Sequence, residues 1–262
     1  MIEFVVIVES SADARTATKL AERVLVEKVD WLETNLLEHL FQWRGLEEIT
    51  AHSCWRDISD IIERAKESGL PIPKFLGHKK TGTLKADGAV AMKILNLIQI
   101  IHIKKNRPIK AVLFIRDLDH QPERRQGIEQ ARSEQGDRQS NLEIIIGTAN
   151  RMREAWVLNG FIPANPEEDK ILQEIKAQLT FDPCEKAHRL RSSSWNEPER
   201  IRNPKVVVEL LTQNTGMLRE CQCWEETSLE HLRERGVYTG LTDYLNEIEQ
   251  RLVPVISPQT GA

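Results

Sequence analysis

The chain is poor in cysteine, with Cys54, Cys184, Cys221 and Cys223 the only four in 262 residues. So few, so widely spread, they read as reduced thiols and exclude a disulfide framework. Tyrosine is scarcer still: Tyr238 and Tyr244 are the only two. Long apolar runs are missing as well. The longest strongly apolar stretch, residues 94–103, falls well short of the roughly 18 residues a membrane helix needs. No basic segment precedes the first apolar run, so no signal peptide is expected and the reading is cytoplasmic, with no membrane partner. A P-loop and a Gly-rich nucleotide fingerprint are absent, so an ATPase would have to be a separate chain. An excess of positive charge is also lacking. Lys and Arg total 36 against 40 Asp and Glu, a net charge of −4. That excludes coating of duplex DNA through overall charge, but leaves room for a local basic groove or an acidic cluster that holds a cation.

What is present is a pattern of alternation. Residues 3–9, 109–115 and 142–147 are continuous β-branched runs, too apolar for strands with one wet face, and are predicted to be buried parallel strands. Helical spacing is expected over residues 14–29, 58–66, 88–105, 122–135 and 148–156, then over 167–179, 205–212 and 241–252. Residues 31–69 read as a connecting segment plus one helix. Residues 74–85, rich in Gly, Lys and Thr, read as an exposed loop. The expected fold is α/β, a mostly parallel Rossmann-like sheet flanked by helices. Its core spans 1–160 with a helical insertion over 30–105, and a mainly helical C-terminal region, 161–262, packs on it.

The chemistry is positional. Ligands of open α/β sheets sit beyond the carboxyl ends of the strands. Three predicted strands end in acids: Glu9 after the first, Asp117 and Asp119 after the second, and Glu154 shortly after the third. Asp117 and Asp119, two residues apart at a strand end, are expected to point the same way. Converging carboxylates repel one another, and a hard divalent cation such as Mg2+ or Mn2+ relieves that cost. Such a cation would also polarise a phosphoryl oxygen and activate water.

Val6-Ile7-Val8-Glu9 opening a β–α unit, with Ile115-Arg116-Asp117-Leu118-Asp119 about a hundred residues on, resembles the TOPRIM domain. That module is shared by topoisomerases, bacterial primases and OLD-type nucleases. The likeness extends to small stand-alone TOPRIM-like proteins of bacterial defence and mobile loci. Their Glu-Ala-Trp helix is matched by Arg153-Glu154-Ala155-Trp156-Val157-Leu158, and their Asn-Pro-Lys by Asn203-Pro204-Lys205. The resemblance covers roughly residues 3–215. It implies a TOPRIM-like fold, with Glu9 as general acid/base or metal ligand, Asp117 and Asp119 as the metal-binding pair, and Glu154 as the extra acid of the nuclease-like branch. Two departures stand out: Ser10 replaces the usual glycine after the first acid, and the insertion before Asp117 is long.

Hydrolysis of phosphodiester bonds needs the fewest further parts, so the expected function is a Mg2+- or Mn2+-dependent nuclease, with antiviral or plasmid defence as the expected setting. Its substrate would be nucleic acid, DNA in preference to RNA, with a partner ATPase or other defence subunit as a further candidate. Lys79, Lys80 and Lys85 in the Gly-rich loop, and Arg191 and Arg202 around Trp195, are the candidate nucleic-acid contacts. Lys205, fixed in a first helical turn by Pro204, is the candidate basic catalytic residue. Two rival readings remain open: a catalytically inactive TOPRIM-like binding or regulatory subunit, and a HAD-type phosphatase with Asp117 as nucleophile. A zinc site from Cys184, His188, Cys221 and Cys223 is a weaker constellation.

Overall fold

The apolar run of the first strand is explained by what covers it. In a computed structural model describing residues 1–72, 83–136, 141–213 and 217–257, strand β1 (Ile2–Val8) lies in the interior of a sheet. Phe4, Val6 and Val8 face one apolar cluster and Val5 and Ile7 the other, all fully buried. A strand buried on both faces has no position that prefers a polar side chain.

The sheet has five strands, β2 (Phe41–Arg44), β3 (Ser53–Cys54), β4 (Ile109–Asp117) and β5 (Glu143–Ala149) joining β1. All pairings are parallel, in the order β2-β1-β4-β5, with the short β3 on the same edge of β1 as β2. Register carries Ile7 beside Phe114, and Asp117 beside Ala149. The three long strands therefore finish at a common edge.

One face is covered by α1 (Ser11–Lys28), and α2 (Leu37–Leu40) precedes β2. The opposite face carries α3 (Ile58–Glu67), α4 (Gly88–Lys104) and α5 (Glu123–Gly136). The chain then returns to the α1 side through α6 (Glu154–Gly160), α7 (Pro166–Leu179), α8 (Pro204–Leu211), α9 (Met217–Glu225), α10 (Leu229–Arg235) and α11 (Leu241–Glu247). A π-helical turn, Ile248–Leu252, joins α11 to α12 (Val253–Ile256). After β5 no strand occurs among the described residues. Trp156 and Tyr244 stack in the core at 5.3 Å, and the Tyr244 hydroxyl donates to Ala17 O at 2.8 Å.

Three expectations are corrected. The segment read as connection plus helix contains β2 and β3 besides α3. Thr148 and Ala149, expected to open a helix, complete β5, and α6 starts only at Glu154. The last helix is not continuous over 241–252 but changes to a π turn at Ile248. No described helix is long and apolar enough to cross a membrane.

Candidate functional site

Ser10 adopts extended backbone, φ −150°, which any residue can occupy, so the missing glycine costs nothing there. It serves instead as the N-cap of α1. Ser10 Oγ accepts from Asp13 N, while Ser10 N and Oγ donate to Asp13 Oδ2 at 2.7 and 2.8 Å. This reciprocal box satisfies helix-end donors and turns the Asp13 carboxylate back toward the strand end. Asp13 is a buried acid that the strand-end reasoning missed. Its signal was its place four residues after Glu9, in the first turn of the helix β1 feeds.

Asp117 closes β4. Its Oδ1 accepts from the Arg153 backbone N–H at 3.0 Å. Burial holds its carboxyl well above the usual range, and Asp13, Glu9, Glu154 and Asp119 all push the same way. The other three acids expected from the sequence, and Asp13, thus all lie near enough to Asp117 to disfavour its ionisation, at the carboxyl ends of β1, β4 and β5. Glu9 is also raised, first by burial; Asp119 and Asp13 add to the shift, and Arg116 and Arg124 oppose it.

The cluster is divided between the two sides of the sheet edge. On the α1 side, the buried Arg153 guanidinium lies 3.7 Å from Asp13, 3.5 Å from Glu154 and 2.8 Å from Glu220. On the other side, Arg116 donates to Glu9 at 2.7 Å and to Asp87 at 2.8 Å. Arg124 of α5 holds Asp119 at 3.0 Å and lies 3.8 Å from Glu9. Asp87 is thus a sixth acid, delivered by a close helix approach. A Cβ on Gly88 would meet the Gly127 carbonyl oxygen at 2.8 Å, so glycine at both positions lets the start of α4 settle on α5.

The expectation that Asp117 and Asp119 point the same way is corrected. The strand ends at Asp117, and Asp119 has left-handed backbone, φ 44°. Strand alternation no longer applies, and the two carboxylates go to different partners, Arg153 N and Arg124. Backbone strain gathers here: Asp87, Asp119, His120 and Arg151 are four of the seven described non-glycine residues with positive φ. Such concentration marks sites where geometry is held at a cost.

The other candidates distribute unevenly. Lys205 lies in the first turn of α8 as expected, its N–H bonded to Asn203 Oδ1 at 3.0 Å, and it is exposed. Arg191 is exposed, and the Arg151 guanidinium is lowered in pKa first by burial and then by Arg191, with Asp119 opposing. Arg202 bonds through its carbonyl to Ser192 N at 3.0 Å, closing the loop that exposes Trp195. Lys85 is exposed and bonded to Gln126 of α5. Lys79 and Lys80 lie outside the described residues. Cys184 and Cys223 are buried thiols, the latter pushed up to about 12 by burial, which disfavours the thiolates zinc requires.

The donor chemistry of the acid cluster suits a hard divalent cation: Glu9, Asp13, Asp87, Asp119, Glu154 and Glu220 share the guanidinium groups of Arg116, Arg124 and Arg153, and Asp117 lies among them. As they lie, no three described His, Cys, Asp or Glu side chains group into a cage for one ion. The interposed arginines give the physical reason. Compared with protein-family models, curated proteins and solved structures, the chain matches none.

Proposed function

We propose that the chain is a TOPRIM-like, Mg2+- or Mn2+-dependent nuclease acting on the phosphodiester bonds of nucleic acid. The observation that carries the reading is the gathering of acids at one sheet edge: Asp117 Oδ1 accepts from the Arg153 N–H at 3.0 Å, the Arg153 guanidinium lies 3.7 Å from Asp13 and 3.5 Å from Glu154, and Arg116 and Arg124 pair with Glu9 and Asp119 at 2.7 and 3.0 Å. Glu9, Asp117, Asp119 and Glu154 would hold the cation, with Asp13 close by. The cation would supply polarisation of a phosphoryl oxygen and a more acidic water.

The chain's own residues then have separable tasks. Glu9, its pKa raised by burial and its side chain only partly covered, suits movement of a proton to or from a reacting oxygen. Arg116 and Arg124 act as internal counter-ions for Glu9 and Asp119, and must release those carboxylates before they can serve a metal. Arg153 fixes Asp13 and Glu154 and, through its N–H, Asp117. A HAD-type route fits less well, because Asp119 is followed by His120-Gln121-Pro122 where such enzymes continue toward a Thr or Val and a Gly.

The pairing of Glu9, Asp119 and Glu154 with arginines favours one second reading, a TOPRIM-like fold serving as a binding or regulatory subunit. Plasmid DNA and RNA incubated with Mn2+ discriminate between the two. Cleavage that disappears in Asp117→Asn and Glu9→Gln supports the nuclease. Cleavage at the parental rate in both variants removes this site from the reaction.

A further inference from the structure

Arg151 follows β5, and it is 6 % exposed. Its Nε and Nη1 have no hydrogen-bond partner. A buried guanidinium with unused donors is costly, and native structures satisfy nearly all such groups. Its backbone is costly too, with φ at 79° in a non-glycine residue. Yet the segment is held firmly. Asp119 N donates to Arg151 O at 3.1 Å, and Asn150 is bonded to Thr239 O and to Tyr238 O, each at 2.8 Å.

The surroundings lack the counter-charge a buried cation normally finds. The charges acting on Arg151 are Arg191, which opposes its protonation, and Asp119, which supports it. Asp119 is already engaged by Arg124 at 3.0 Å. Arg191 is exposed and forms no ion pair among the described residues. His188 stands in the same basic neighbourhood, acted on by Arg191, Arg189 and Lys186. Its Nδ1 is buried without a partner, and its ring packs on the exposed Tyr238 at 4.9 Å. The geometry links them through Tyr238, whose carbonyl accepts from Asn150, the neighbour of Arg151, and whose ring packs on His188; unpartnered donors with basic neighbours favour an anion. A guanidinium with free donors matches the oxygens of phosphate.

We propose that Arg151, flanked by Arg191 and His188, forms a phosphate-binding subsite on the Asp119 side of the acid cluster. It deepens the nuclease reading, resting on it only for the source of the phosphate, which there is the backbone of a bound nucleic acid. The backbone that carries Arg151 is fixed before a ligand arrives, and binding requires its shielded Nε and Nη1 to be uncovered to the phosphate. The uncompensated cation is then the stability cost of a site arranged for its ligand.

The test uses the full chain in EDTA, so that metal plays no part. Inorganic phosphate and a single-stranded oligonucleotide are titrated separately by calorimetry against the parent, Arg151→Gln, Arg151→Lys and Arg191→Gln. The parent is expected to bind phosphate, Arg151→Gln to bind about tenfold or more weakly, and Arg191→Gln several-fold more weakly. Without phosphate, Arg151→Gln is expected to melt at or above the parent, because it removes an unpartnered buried cation; an Arg with a purely structural role would lower the melting point. If Arg151→Gln fails to fold, Arg151→Lys and the exposed Arg191→Gln decide. Parental phosphate affinity in the folded variants overturns the subsite, even where Mn2+ binding and cleavage are intact. Phosphate binding lost in the variants, with no oligonucleotide binding by the parent, upholds the subsite and removes the nuclease reading instead.

Discussion

Arg116 donates to Glu9 at 2.7 Å, so the residue immediately before the central acid Asp117 neutralises the acid at the end of the neighbouring strand. Alternation along β4 sends Arg116 toward the α4 and α5 side and Asp117 toward α1. One strand end therefore supplies both a counter-ion and an acid, and the carboxylates are kept from crowding without a metal. The arrangement makes guanidinium groups and a divalent cation competitors for the same oxygens.

That competition has a measurable sign. Arg124→Gln frees Asp119 and removes a cation 3.8 Å from Glu9. Its partners are partly exposed, so the effect is modest. Mn2+ affinity is expected to rise by about 1 kcal/mol, roughly fivefold, in isothermal titration without nucleic acid. Unchanged or weaker binding would show that Arg124 does not compete at the cluster.

Asp117 links the cluster to pH. Its folded-state pKa is raised, so between the ordinary carboxylate range and that raised value the folded chain keeps a proton the unfolded chain loses. Stability of the metal-free protein therefore falls as pH rises through this window. Glu9 contributes in the same direction. Asp117→Asn is expected to flatten the fall and to melt higher than the parent above the window, by ~2–4 °C per kcal/mol relieved. Melting curves in EDTA across the pH range check this, and a parent whose stability rises through the window contradicts it.

The long strands and their acids were legible because burial on both faces leaves a continuous β-branched run, and the first polar residue marks the edge. β2 and β3 were not legible. Residues 41–44 and 53–54 are too short for a period to emerge, and only the neighbouring β1 makes them strands. In the site, Asp13 was not legible because its carboxylate joins the cluster only through the capping box with Ser10, while Asp87, Arg116 and Arg124 meet only through the approach of α4 to α5. The unpartnered state of Arg151 is a property of packing, invisible in the order of residues.

Arg153 is the buried cation of the α1 side, serving Asp13, Glu154 and Glu220. Removing one partner of a buried charged network strands the others. Arg153→Gln is expected to cost about 3–5 kcal/mol in urea unfolding. A loss below about 1 kcal/mol would place the network in a screened, solvent-like setting.

Gly127 is the contact on which Asp87 is positioned. A Cβ there would press on the Ala86 carbonyl oxygen and on Gly88 N, both backbone atoms that cannot swing away. Gly127→Ala is expected to lose about 1–3 kcal/mol through overpacking. Parental stability would mean that α4 and α5 separate freely.

The central claim is that the acids around Asp117 bind a divalent cation, and Mn2+ titration followed by electron paramagnetic resonance tests it most directly. The expected result is loss of the free-ion signal on adding the parent protein, and its persistence with Asp117→Asn. A free-ion signal undiminished by the parent, or diminished equally by the variant, would contradict the claim.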